Sequence, residues 1–445
     1  MQSVTLTFAL IVCVLVISLR PKYALAAYIT ALLWYPSFLA VSIGTIDILV
    51  GRFVVAVLLL RCLCEDKIRG KFIWSRLDTL VTLSMVVYVG AYFISQTMTF
   101  GVAVESRGGY LMDTWCAYLA TRFIVTDRSK LISVIKCISI VLVPLAILGV
   151  IESVTHWQPF APLWVYSPWF RGGRFISEGR FGFARAVGPF SMAILFGGAF
   201  AMFLPLVYYL RYEKKEWHTL AYILSGIALL GALSSMSSGP WVMVIVVIFC
   251  LVMERHKKFV KPLFILLVVM CLSIGIASNR PFYHVIASWA NPLGGAGWHR
   301  AKLIDIAIEH FSEWWMIGYG DKDPGWGPQL GMGFSDITNE YIIKGVRYGL
   351  LGIIALCAVL AKAFRDVIST YRKVKQPAMK SLCWAFGSLL FSVTIAWMSV
   401  SFFGQLTTLL YCSLGMIGSL SSPKFNWQIP NRISLVRNRP ARMVS

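Results

Sequence analysis

Arg171, Arg174, Arg180 and Arg185 alternate with Trp164, Trp169, Phe170, Phe175, Phe181 and Phe183 across the stretch 155–189. A guanidinium is planar, offers paired donors that match phosphate, and stays charged at any relevant pH. Aromatic rings seat a loop at the level of lipid headgroups. Together they suit a diphosphate anchored in a bilayer; the plainer reading is attraction to phospholipid phosphates. A second stretch, 279–340, holds the segment WHRAKLIDIAIEHFSEWWMIGYG from Trp298 to Gly320. Ile304, Ala307, Ile308, Phe311, Trp314 and Trp315 recur at steps of three or four, which predicts one amphipathic helix. Its other face carries Arg300, Lys302, Asp305, Glu309, His310 and Glu313. Just beyond, Asp336, Glu340, Lys344 and Arg347 fall within about 80° of one another if a helix extends back that far. Such a stripe lines a polar cavity, or else Glu340 and Lys344 form a plain pair at spacing i,i+4.

The elements that must position these residues are membrane helices. Of the 445 residues, 58% are hydrophobic and 14% charged, and the mean hydropathy is +0.72. Apolar runs of spanning length occur near 3–19, 24–43, 46–61, 79–98, 110–125, 131–153, 190–210, 218–235, 240–253, 261–278, 341–361, 382–401 and 404–420, about 12–13 spans in all. The expected fold is therefore an all-α, polytopic transmembrane bundle whose two large loops contain short amphipathic helices. Its expected organisation is N-terminal membrane helices over 1–154, a first large loop over 155–189, central helices over 190–278, a second large loop over 279–340, C-terminal helices over 341–422 and a basic tail over 423–445.

Orientation follows from Lys and Arg, which concentrate in 61–76, 122–136, 211–215, 255–261, 362–380 and the tail. These segments alternate with the spans so that all can be cytoplasmic together, which places both large loops outside. The net charge of +21 is then a topology signal with attraction to membrane lipid. Nucleic-acid binding is not expected, because no basic soluble domain exists to perform it. Arginines in an outer loop run against the positive-inside rule, which favours function over decoration there. None of the 10 cysteines falls in either large loop, so no disulfide framework is expected outside.

Smaller features are read locally. The run 3–19 lacks a preceding positive charge and reads as a true span, not a cleavable signal. Asp47 and Arg52 sit near the outer half of the third run and read as snorkelling or paired. Glu105 to Gly109 reads as an outer turn. Ser234 to Pro240 reads as another, its serines as helix caps. Gly294, Gly295 and Gly297 lack the preceding strand and the lysine of a phosphate loop.

Three places resemble the family of bacterial O-antigen ligases and O-antigen or exopolysaccharide polymerases. Arg185-Ala-Val-Gly188-Pro189-Phe190 is similar to the motif with which the first large loop enters a span. Arg300 to Gly320 joins an arginine, a tryptophan-bearing amphipathic helix and a Gly-x-Gly exit at Gly318 and Gly320. Thr338-Asn339, followed by Gly349-x-x-Gly352, is similar to the ligases' histidine-asparagine motif, with Thr338 where ligases have histidine.

The resemblance implies a metal-independent, cofactor-free integral-membrane glycosyltransferase of the C type. It would work at the periplasmic face of the bacterial inner membrane, with an undecaprenyl-diphosphate-linked glycan as donor and a second glycan as acceptor. Chain-length regulator and export proteins are further partners implied. Arg185 and Arg300 would hold the diphosphate, and Glu340, with Asp336 or His310 behind it, would replace the missing histidine at the acceptor hydroxyl. Arg171, Arg174, Arg180, Thr338, Asn339, Lys344 and Arg347 complete the expected binding set. The absent histidine favours a polymerase; a ligase acting on lipid A-core and a lipid-linked glycan flippase are the alternatives.

Overall fold

A computed structural model of the chain describes residues 1–44, 46–95, 99–169, 179–277, 281, 283–285 and 297–427. Arg171 and Arg174, the glycines Gly294 and Gly295, and the tail from 428 onward lie outside the described residues. The described chain is an almost wholly helical bundle. Seven of its helices are long and apolar enough to cross a membrane: Arg76–Ile94, Arg128–Thr155, Ala193–Tyr212, Lys215–Ser234, Ser238–Arg255, Lys257–Ala277 and Pro377–Ala396. Gln2–Ser18 and Gln405–Leu420 are apolar but shorter.

The third of these long helices is the axis of the fold. It packs against Arg128–Thr155, Lys215–Ser234, Ser238–Arg255, Pro377–Ala396 and Gly404–Leu420, and nearly every side chain from Ala193 to Tyr209 is buried. Small residues let its neighbours approach closely: a Cβ at Gly231 would lie 2.6 Å from the Phe200 ring. Val260–Ala277, by contrast, buries none of its residues.

Several expected spans take another form. The run 24–43 becomes the helix Pro21–Trp34 followed by a strand, Ala40–Ile43, which pairs antiparallel with Ile46–Leu49. Pro36 cannot continue a helix, Gly44 turns the chain at φ +64°, and alternating Val41, Ile43, Ile46 and Ile48 favour extended backbone. Asp47 thus belongs to a hairpin, where its carboxylate accepts from Ser42 Oγ at 2.6 Å. Arg52 instead pairs with Asp113 at 2.8 Å. Glu105 to Gly109 is not a turn but part of the helix Phe100–Leu111, which runs on through a π-helical stretch, Met112–Cys116, into Ala117–Ile124.

The two ends of the bundle differ. At one end the basic connections meet one another: Arg122 pairs with Asp78 at 2.8 Å, Arg211 with Glu254 at 3.2 Å, and Arg128 with Glu213. Asp78 also completes a capping box with Ser75, so the buried Asp78–Arg122 pair fixes the start of its helix. At the other end the two long loops converge on the turn around Ser234 to Ser238.

In the second loop the helix Gly297–Glu309 is followed by the short Phe311–Trp314. The expected continuous helix to Gly320 stops early. Leu303, Ile306, Ala307 and Trp314 are buried, in a cluster with Trp326, Leu330, Ile337 and Val346. Ile308, Phe311 and Trp315, placed on the greasy face by periodicity, are exposed. The burying face is thus rotated from the one the spacing marks.

Candidate functional site

The segment that carries Arg185 is pinned along its length. Ala184 N–H donates to Ser153 O and Ser153 Oγ donates to Ala184 O, each at 2.9 Å. The buried Glu152 carboxylate accepts the N–H groups of Val187 and Gly188 at 2.8 and 2.9 Å. Gly188 adopts φ +52°, and a Cβ there would meet the Phe196 ring at 2.9 Å. Upstream, Arg180 and Phe183 bond across a tight turn with Phe181 at φ +54° and Gly182 at +79°. Arg300 rides on the helix Gly297–Glu309, whose buried Leu303 and Ile306 anchor it.

These supports bring the arginines of the two loops to one place. Arg185 Nη2 donates to Ser237 Oγ and Arg300 Nη2 to Ser238 Oγ, each at 3.2 Å. The two serines open the helix Ser238–Arg255, yet Ser237 makes no side-chain cap bond. Its hydroxyl faces an arginine instead of acting as the cap expected from sequence. Arg180 is close enough that its charge, after burial, depresses the pKa of both Arg185 and Arg300. Arg185 and Arg300 remain cations, because guanidinium starts far above neutral pH.

Among the described residues no carboxylate pairs with Arg180, Arg185 or Arg300. Arg185 Nε and Arg180 Nη1 are buried without hydrogen-bond partners. Like charges gathered beside the N-terminus of a helix, with donors unused, make a site for an anion.

The charged stripe forms a second site. The helix beginning at Glu340 is capped by Asn339, whose Oδ1 accepts from Tyr341 and Ile342 N–H while Nδ2 donates to Met398 O. Asp336 lies before the helix and so drops out of the stripe. It faces His299 instead, whose pKa burial lowers while Asp336 opposes and Arg300 assists. Thr338 Oγ1 is buried without a partner. Glu340 is itself buried: Oε2 accepts Phe402 N–H at 2.9 Å and Oε1 lies 3.3 Å from Lys344 Nζ. Lys344 Nζ donates to Tyr110 OH at 3.3 Å and stands 5.0, 5.4 and 5.7 Å from the Tyr88, Tyr110 and Tyr348 ring centres.

A cavity of about 220 Å³ opens here, lined by Arg107, Asp113, Glu340, Lys344, Arg347 and Phe402 among others. No family model and no curated protein matches the chain. These two sites are therefore what bears on function. They are neighbours through one segment: Trp397 O accepts Glu340 N–H at 2.9 Å, Phe402 N–H reaches its carboxylate, and Val400 between them packs on Gly239, next to Ser238.

The two glycine motifs also meet. The helix Glu340–Lys373 is broken at Gly349, φ +72° and ψ −175°. Its freed carbonyls Val346 O and Arg347 O accept from Tyr319 and Gly320 N–H at 2.6 and 3.2 Å, and Leu350 N–H reaches Trp315 O at 2.7 Å. A Cβ at Gly318 would lie 2.6 Å from Arg347 C, and one at Gly349 only 2.4 Å from Met316 O. Backbone packs on backbone at this crossing, and it holds the second loop against the pocket.

Arg107, expected from the sequence as one more arginine in an outer turn, is instead buried on a helix, where it donates to Tyr348 OH at 2.8 Å and stacks on Tyr92 at 3.9 Å. The pair Gly108-Gly109 suggested a turn. Gly109 serves instead to admit the Arg52 guanidinium, which a Cβ would meet at 2.5 Å. His310, named behind Glu340, is held by Glu313 at 2.7 Å.

Proposed function

We propose that the protein is a glycan polymerase that moves an oligosaccharide from a membrane-anchored diphosphate to a glycan acceptor on the periplasmic side of a bacterial inner membrane. The acceptor hydroxyl oxygen attacks the anomeric carbon and the bond from that carbon to the diphosphate breaks. The proton leaves the hydroxyl for Glu340, and the lipid diphosphate departs with the bonding electrons. Charge thus develops on the diphosphate, where Arg180, Arg185 and Arg300 stabilise it. Lys344 and the Phe402 N–H hold the Glu340 carboxylate in place, and Arg347 borders the cavity the acceptor enters.

The single observation that carries this reading is the meeting of Arg185 and Arg300, from separate loops, on adjacent serines at a helix N-terminus with no carboxylate among the described residues to neutralise them. A structural arginine has no need of such company, whereas a diphosphate needs several donors at once. The direct test is binding of undecaprenyl diphosphate to the protein in nanodiscs, with undecaprenyl monophosphate for comparison. The diphosphate binds more tightly in the wild type, and Arg185→Gln or Arg300→Gln removes that preference. Equal binding of the two lipids by the wild type overturns the clamp.

A further inference from the structure

Asp321 stands between two guanidiniums. Its Oδ2 accepts from Tyr92 OH at 2.9 Å and from Arg107 Nη2 at 3.4 Å, and its Oδ1 lies 3.9 Å from Arg347 Nε. Of the other charged residues that line the cavity, Asp113 is matched by Arg52 and Glu340 by Lys344. One carboxylate therefore answers two arginines, and the cavity keeps one positive charge over. Arg107 is 6% exposed, and its Nε is buried without a hydrogen-bond partner. A buried donor on a charged group left unpaired is costly, so this arrangement is made for a ligand that completes it.

A second cavity, of about 270 Å³, adjoins the first and shares Asp113, Phe403 and Gly404 with it. Tyr35, Phe38, Trp164 and Trp169 line it. So does Gln405, 6% exposed, whose Nε2 donates to Leu32 O at 2.6 Å and Tyr35 O at 2.9 Å while its Oε1 has no partner. Aromatic faces pack on the C–H faces of sugar rings, and a buried amide oxygen wants a hydroxyl donor.

We infer that the two cavities together bind an acidic glycan. An acidic sugar sits in the first, its carboxylate facing Arg107 and Arg347 where they line the cavity, and a neutral ring sits in the second against the tryptophans, with a hydroxyl donating to Gln405 Oε1. A carboxylate fits better than a phosphate because only one positive charge is left over, whereas the cluster at Ser237 and Ser238 has several. The inference rests on the reading of this cavity as the acceptor's place, and it adds the acceptor's chemical class.

The test uses the full-length protein in nanodiscs, with glucuronosyl-β-1,4-glucose and cellobiose as soluble probes in calorimetric titration. The acidic disaccharide binds at least tenfold more tightly than the neutral one. Arg347→Gln, at a half-exposed position that leaves the core alone, brings the acidic probe down to the neutral one's affinity. Trp169→Ala weakens both probes alike. Equal affinity of the two probes in the wild type, or an Arg347→Gln variant that still prefers the acid, overturns the inference. Displacement of the acidic probe by inorganic phosphate more readily than by glucuronate also overturns it and assigns the site to a phosphate. Donor lengthening that persists alongside any of these results leaves the proposed function standing and removes only the acidic acceptor.

Discussion

Arg185 and Arg300 enter from different loops and donate to Ser237 and Ser238, neighbours in sequence, each over 3.2 Å. The pair is thus held by one helix start. Both arginines sit with Arg180 and, among the described residues, without a carboxylate, and each can turn its remaining donors to a common anion. Lysine in either position keeps the charge and loses the fork. Arg185→Lys and Arg300→Lys should each lower turnover by about 10²-fold, the scale for losing one well-aimed donor to a developing negative charge. Thermal unfolding of both variants should stay near wild type, which separates this loss from misfolding.

Glu340 and Lys344 form a buried pair at the edge of the cavity. Removing one partner strands the other, at a cost of about 3–5 kcal/mol. Glu340→Gln should therefore lower the unfolding temperature in detergent, and the double variant Glu340→Gln with Lys344→Met should recover most of the loss. Activity should stay absent in the double variant if Glu340 takes the acceptor's proton. Recovery of turnover together with stability would reduce the pair to a structural role.

Gly349→Ala puts a side chain at φ +72° and 2.4 Å from Met316 O. The strain alone is about 1–3 kcal/mol, and the clash is with backbone that cannot rotate away. Hydrogen exchange at Tyr319, Gly320 and Leu350, whose N–H groups cross this contact, should accelerate well before exchange in the helix Ala193–Tyr209. Unchanged protection at those amides would dissociate the break from the anchoring of the loop.

His299 is buried and its pKa is depressed below the ordinary 6.5, chiefly by burial. The unfolded segment then takes up a proton before the folded one does, so local stability is full above the ordinary value and declines as pH falls below it. Protection factors across the helix Gly297–Glu309, with the intrinsic pH dependence of exchange divided out, should fall as pH drops below about 6.5, and His299→Gln should flatten that dependence. Arg300 next door adds to the effect and Asp336 counters it.

How much of this was legible in the sequence depends on what made each residue conspicuous. The arginines of the first loop stood out because charge of that sign is scarce in loops expected to face outward, and Arg180, Arg185 and Arg300 do come together. Glu340 and Lys344 were legible as a pair because i,i+4 spacing on a helix fixes their distance before any tertiary contact. The arrangement of Arg107 and Asp321 was not, since their partners lie far away along the chain: Arg107 reaches Tyr348 and Asp321, and Asp321 reaches Tyr92 and Arg347. The hairpin was hidden for another reason: a run of Val and Ile is equally apolar in a strand and in a span, and only Pro36 and Gly44 hinted at the difference. Ser237 and Ser238 looked like ordinary caps because that is the commonest use of serine before a helix. Their hydroxyls were claimed by arginines from two loops whose approach the local sequence does not encode.

The central claim is that these arginines serve transfer of a glycan from a lipid diphosphate. The measurement that tests it most directly incubates the purified protein in nanodiscs with an undecaprenyl-diphosphate oligosaccharide from the native host and follows lipid-linked glycan length by gel. Wild-type protein should yield longer lipid-linked products, and Arg185→Ala and Arg300→Ala should yield none. Substrate of unchanged length with the wild type, together with passage of the same lipid across a proteoliposome bilayer, would contradict the account and identify a flippase.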